Sequence, residues 1–93
     1  MKSTEWITEY ETYLTVVKNR VSNTVRSYIS DICLLHKFAL AGRSEDWGKF
    51  TEQNAVDYVG YLKKTSRDTA VSRKVYALRG FFKFLRKKQV IGP

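Results

Sequence analysis

The sequence predicts an all-α domain of four main helices. Three observations carry this. Apolar residues recur at three- and four-residue spacing through four segments, the period of helices with one buried face. Breakers are scarce: the sole proline is Pro93, and the 93 residues include five glycines. No stretch alternates strictly between apolar and polar residues, as a half-buried strand would. The length suits one domain spanning residues 1–93, and a hydrophobic content of 43% suits a packed core. A core this small leaves a thin stability margin, which two Trp, five Phe and six Tyr help to fill.

The first helix is expected from about Thr4 to Lys18, with Ser3 as its N-cap and Glu5 in the first turn. Trp6, Tyr10, Tyr13 and Val17 share a face, widened by Ile7 and Leu14. The segment NRVSNT breaks this pattern, and Ser22 is expected to cap a second helix running to about Ala41, with Gly42 as its C′ stop. Val25, Ile29, Ile32, His36 and Ala39 line one stripe of it, with Tyr28 and Leu35 at the flanks.

Trp47 and Phe50 are expected to tuck inward from the following loop. Thr51 caps a third helix, about Glu52 to Lys63, with Ala55, Val59 and Leu62 inward. Ser66 or Asp68 caps the fourth, which runs to about Lys88, and residues 89–93 read as an exit linker.

Charge is segregated along the chain. The net charge is +8. Residues 1–62 hold seven Lys/Arg and eight Asp/Glu, a balance of −1. Residues 63–93 hold ten Lys/Arg and one acid, Asp68, a balance of +9. A basic third on an otherwise neutral domain is the footprint of a polyanion-binding surface.

The fourth helix concentrates that charge on one side. On a helical wheel, Val71, Val75, Leu78, Phe82 and Leu85 fall together, and Ala77, Phe81 and Phe84 extend the arc. The other half holds Ser72, Arg73, Tyr76, Arg79, Gly80, Lys83, Arg86 and Lys87, without an acid. Like charges at four-residue spacing, Arg79–Lys83 and Lys83–Lys87, cost a few tenths of a kcal/mol per pair. A solvated face has no use for that cost, whereas a phosphate-binding face does. Arg clamps phosphate or guanine, Lys neutralises phosphate, and the Ser72 and Tyr76 hydroxyls suit phosphate oxygens. Lys74 projects toward the apolar arc and is expected to snorkel.

Three segments resemble the N-terminal core-binding domain of the tyrosine recombinases, the phage-integrase and Xer-type family. VSNTVRSYISDICLLHKFAL resembles its first signature, with Ser22, Asn23, Thr24, Tyr28, Asp31, Ile32, Leu35 and Phe38 in the matching places. VSRKVYALRGFFKFLRKKQVIGP resembles the second, a basic helix with an Ala-Leu-Arg step and paired aromatics. DWGKFTEQNAVDYVGYL resembles the third helix with its preceding Trp.

The resemblance implies a SAM-like orthogonal bundle that forms half of a clamp around double-stranded DNA. It implies DNA contacts from Ser22, Asn23, Thr24, Arg26 and Ser27 on the second helix, and from Thr69, Ser72, Arg73, Tyr76, Arg79 and Lys83 on the fourth. For the second helix, free N–H groups at a helix start also favour phosphate. The resemblance further implies other recombinase protomers as partners of the full-length protein, with the domain alone monomeric.

No catalytic role is expected for this stretch. The family's catalysis uses a separate domain with an Arg-His-Arg set and a tyrosine nucleophile. His36, the sole histidine, falls on an apolar stripe and reads as a core residue. Cys33, the sole cysteine, has no basic neighbour in its turn and reads as unreactive. One His and one Cys make no zinc site, and no Gly-rich phosphate loop is present. No cofactor or metal is expected. A lone cysteine fits a reducing cytoplasm, and no apolar run is long enough to span a membrane. The rival reading is a protein-interaction module with a basic amphipathic C-terminal helix, or a membrane-surface helix. It requires Phe81, Phe82 and Phe84 to be free of the core.

Overall fold

The computed structural model describes residues 3–40 and 47–91. Four α-helices and no strand appear among them: α1 (Ser3–Thr12), α2 (Ser22–Leu40), α3 (Glu52–Thr65) and α4 (Asp68–Lys87). The expected all-α, SAM-like bundle of four main helices is the fold observed.

α1 passes directly into one wider turn, Tyr13–Val17, where the Lys18 N–H donates to the Tyr13 carbonyl at 3.1 Å. Two causes are visible in the sequence. Thr12, Thr15, Val16 and Val17 are β-branched and weak helix formers. Thr8, Thr12 and Thr15 also donate their hydroxyls back to carbonyls four residues earlier, a habit that bends helices. The extra residue in the turn changes the angular register. Ile7, Tyr10 and Leu14 are buried as expected, but Val17, expected on the same face, is 65% exposed. Asn19 then takes a left-handed φ of 50° and turns the chain.

Three caps differ from expectation. The Val25 N–H donates to the Val21 carbonyl, so Val21 occupies the cap position of α2 and Ser22 lies just inside. The Val71 N–H donates to the Arg67 carbonyl, so α4 starts from Arg67 rather than Ser66 or Asp68, with no side-chain cap. The Ser3 side chain lies outside the described structure, as do Ala41 and Gly42. The Thr51 cap stands: its Oγ1 accepts from the Asn54 N–H at 3.1 Å, while its own N–H donates to Asn54 Oδ1 at 2.9 Å.

The core is an aromatic chain strung along α4. Phe81 is fully buried and meets Trp47 edge-on at 4.9 Å and Tyr10 at 5.3 Å between ring centroids. Phe84 meets Tyr10 and Tyr13 and takes Trp6 on its edge. Phe82 stacks on Phe50 at 4.8 Å. Both loop aromatics therefore serve as the anchors expected. Ile32, Leu35, Leu78 and Leu85 complete the centre. On α3, Leu62 is buried, while Ala55 and Val59 are only half-buried and the inward ring is Tyr58. Burial pushes the Tyr58 hydroxyl up to about 12.

α4 ends in a Schellman turn. The Val90 N–H reaches the Leu85 carbonyl and the Gln89 N–H reaches the Arg86 carbonyl, with Gln89 in the left-handed position at φ 62°. Val90 and Ile91 then fold back against the core, so the first residues of the expected linker are packed.

Gly80 has a structural use that the wheel did not show. A Cβ placed on it would meet the Tyr10 hydroxyl at 2.6 Å. The close approach is to Tyr10 of α1, whose hydroxyl burial raises to about 12. Gly80→Ala is expected to destabilise the fold by about 1–3 kcal/mol through overpacking, although Ala is the better helix former by about 1 kcal/mol. Tyr10→Phe in the Gly80→Ala background should restore most of the loss in a thermal melt. A Gly80→Ala protein that melts like the parent would show that the contact does not constrain this helix.

Candidate nucleic-acid interface

The basic side of α4 is a solvent-facing surface. Thr69, Ser72, Arg73, Tyr76, Arg79, Lys83, Arg86 and Lys87 are all exposed, opposite the buried Val71, Ala77, Leu78, Phe81, Phe84 and Leu85. Phe81 and Phe84 are buried and Phe82 is half-buried, so the phenylalanines are committed to the bundle. That removes the membrane-helix reading. Among the described residues, no helix is long and apolar enough to cross a membrane.

α2 and α4 run past each other in opposite senses. Asp31 pairs with Arg73 and Lys74, and one turn along, the Tyr28 and Tyr76 rings lie 6.0 Å apart. Continued by another turn or two, this register carries the start of α2 toward Arg79 and Lys83. Ser22, Asn23 and Arg26 are exposed there, with Thr24 and Ser27 half-buried. Thr69, in the first turn of α4, stands about 21 Å from Lys83 along the helix axis.

Asp31 changes the expected role of two cations. Its carboxylate is 3% exposed. Arg73 donates through Nε to Oδ2 and through Nη2 to Oδ1, each at 3.2 Å. Lys74 Nζ donates to Oδ1 at 2.8 Å, with its side chain 12% exposed. Lys74 therefore does not snorkel to water. It runs inward to a buried counterion, because an unpaired carboxylate at that depth would be costly. Arg73 remains half-exposed, but its fork is turned toward Asp31.

The face also carries a groove of about 420 Å³ that sequence reading missed. One wall is the basic ridge of α4, with Arg79, Lys83 and Lys87. The other is the end of the wide turn and the link to α2, with Lys18 and Arg20. Tyr10 and Tyr13 lie at one part of it, and Tyr28 and Tyr76 at another. Lys18 and Lys87 each hold Nζ 5.9 Å from the Tyr13 ring centre. Among the described residues, no carboxylate lines the groove. Lys18 and Arg20 were legible as cations in the NRVSNT break and its border, but only the turn geometry brings them opposite α4.

Other chemistry is sparse. Cys33 is exposed, and its thiol is raised by partial burial despite Lys37 four residues on, which pulls the other way. Lys37 is the basic neighbour that sequence reading overlooked. A raised pKa leaves little thiolate at neutral pH, which makes a poor nucleophile. His36 is half-buried with its ring 5.9 Å from Trp47. Among the described residues, no group of three or more His, Cys, Asp or Glu could hold a metal.

Residues 7–89 match the family profile of the phage integrase N-terminal SAM-like domain. The chain belongs to this family. The match takes in α1 from Ile7 onward, the other three helices and both walls of the groove. The chain is also 35% identical over 94 aligned positions to a tyrosine recombinase XerC of Pediococcus pentosaceus, covering 94% of this chain and 30% of that protein. A tyrosine recombinase XerC of Syntrophus aciditrophicus is 25% identical, covering 94% of this chain and 31% of that one. The chain thus spans about a third of the length of these curated relatives. No solved structure matches it. The SAM-like domain is the N-terminal part of the recombinases, not their catalytic domain.

Proposed function

We propose that this SAM-like domain binds duplex DNA through the basic face of α4, which carries no acid beyond Asp68 in its first turn, and the start of α2. In a full-length recombinase it is the N-terminal half of a clamp that supports site-specific recombination or integration in the cytoplasm. A catalytic domain beyond the linker and further protomers on the DNA complete the assembly, and the isolated domain is monomeric. The observation that carries the reading is the groove on this face: among the described residues, five cations and no carboxylate line it, beside exposed hydroxyls and on an aromatic core. Phosphate binding explains that charge pattern, and the family match supplies the context.

Ser22, Asn23, Thr24, Arg26, Ser27, Ser72, Tyr76, Arg79 and Lys83 are the proposed contacts, with Thr69 at the far end. Arg73 contributes less than its exposure suggests, because Asp31 holds its guanidinium.

Duplex affinity should fall linearly with salt on logarithmic axes, with a slope of about −0.9 per phosphate neutralised. Lys83→Ala and Arg79→Ala should each flatten the slope by about 0.9, and Arg73→Ala by less. Fluorescence anisotropy across a salt series measures this. Slopes unchanged in both Lys83→Ala and Arg79→Ala would remove α4 from the interface.

A further inference from the structure

We propose that the groove between α4 and the wide turn at the end of α1 receives unpaired nucleotides, binding single-stranded DNA by base stacking as well as by charge. The inference rests on the reading of this face as a DNA surface and goes beyond it.

Duplex phosphates call for cations and hydroxyls. They do not call for tyrosine rings. A paired base offers its edge in a groove, whereas its flat face is available only when it is unpaired. The groove combines both ingredients of a single-strand site: cations from two walls and aromatic rings between them. Tyr76 is 61% exposed, so its ring is open to a ligand. It leans on Tyr28 at 43° rather than stacking flat, so the pair forms an open wedge and not a closed sandwich. From Tyr76, the ridge through Arg79, Lys83 and Lys87 runs about 16 Å at the helical rise, enough for a backbone of a few nucleotides. At the floor, the Tyr10 hydroxyl sits against Gly80, where a Cβ would meet it at 2.6 Å. The volume of about 420 Å³ falls within the usual range for small-molecule sites.

The test compares three labelled probes on the intact chain by anisotropy: an oligothymidylate, an abasic sugar–phosphate strand of equal length and charge, and a duplex. The oligothymidylate should bind about tenfold more tightly than the abasic strand, the contribution of roughly one stacked base. Tyr76→Ala should erase that difference, and Tyr76→Phe, which keeps the ring, should preserve it. Tyr76 is largely exposed, so neither change threatens the fold. Equal affinity for oligothymidylate and abasic strand, with the duplex still bound, would overturn this inference and leave duplex binding standing. Failure of all three probes to bind would overturn both.

Discussion

Phe81→Ala is expected to cost about 3–5 kcal/mol, the range for removing a fully buried phenylalanine. Small domains hold total stabilities near the low end of about 5–15 kcal/mol. The variant should therefore populate the unfolded state heavily at room temperature. The reason lies in its position. Phe81 is fully buried and joins the two halves of the aromatic chain, with Trp47 at 4.9 Å on one side and Tyr10 at 5.3 Å on the other. Its loss opens a cavity bounded by rigid rings that cannot collapse into it. Urea titration followed by circular dichroism measures the change. A loss below about 1 kcal/mol would mean that the site relaxes as a fluid core would, against close packing.

Asp31→Ala should separate stability from binding. Removing one member of a buried ion pair typically costs about 3–5 kcal/mol. Here the low end is expected, because Arg73 is half-exposed and can turn to water. Lys74 cannot do so without leaving its buried site. The DNA readout should move the other way. The net charge rises by one and the guanidinium of Arg73 is released toward solvent, so duplex affinity at low salt should increase even as the melting temperature falls. A variant that loses stability and DNA affinity together would instead make Asp31 a scaffold for the contacting residues. Retained stability would mean that the ion cluster is as weak as a surface pair.

The helices and their buried faces were legible because amphipathic periodicity is a local signal. Val71, Leu78, Phe81 and Leu85 on α4 follow from spacing alone, and the Trp47 and Phe50 anchors follow from large rings in a short loop. What escaped was what a regular wheel or a single helix does not carry. Val17 left its expected face because back-bonded threonines and β-branched neighbours opened a wide turn that no wheel at 100° per residue represents. Lys74 looked like a snorkelling cation because its counterion, Asp31, sits on another helix some forty residues away. Gly80 fell on the polar half of the wheel, which gave no sign that Tyr10 of α1 packs against it.

The site divides along the same line. The basic face of α4 lies within one element, so composition and spacing exposed it. The groove draws on three segments: Lys18 and Arg20 come from the turn and link, and Tyr28 from α2. Tyr76 was legible on the basic face, but Tyr10, Tyr13 and Tyr28 read only as members or flanks of apolar stripes, because burial and exposure of a Tyr depend on the packing around it. Tyr10 is 4% exposed and Tyr76 is 61% exposed, though both line the same groove.

The most direct test of the central claim is an amide NMR titration of the domain with a short generic duplex at low salt. Shifts clustered on Ser22–Ser27 and on Ser72, Tyr76, Arg79 and Lys83, spreading to Lys18 and Arg20 across the groove, are the predicted result. Absent shifts, or shifts scattered over α3 and the first turns of α1 as strongly as over α4, would contradict a DNA surface on this face.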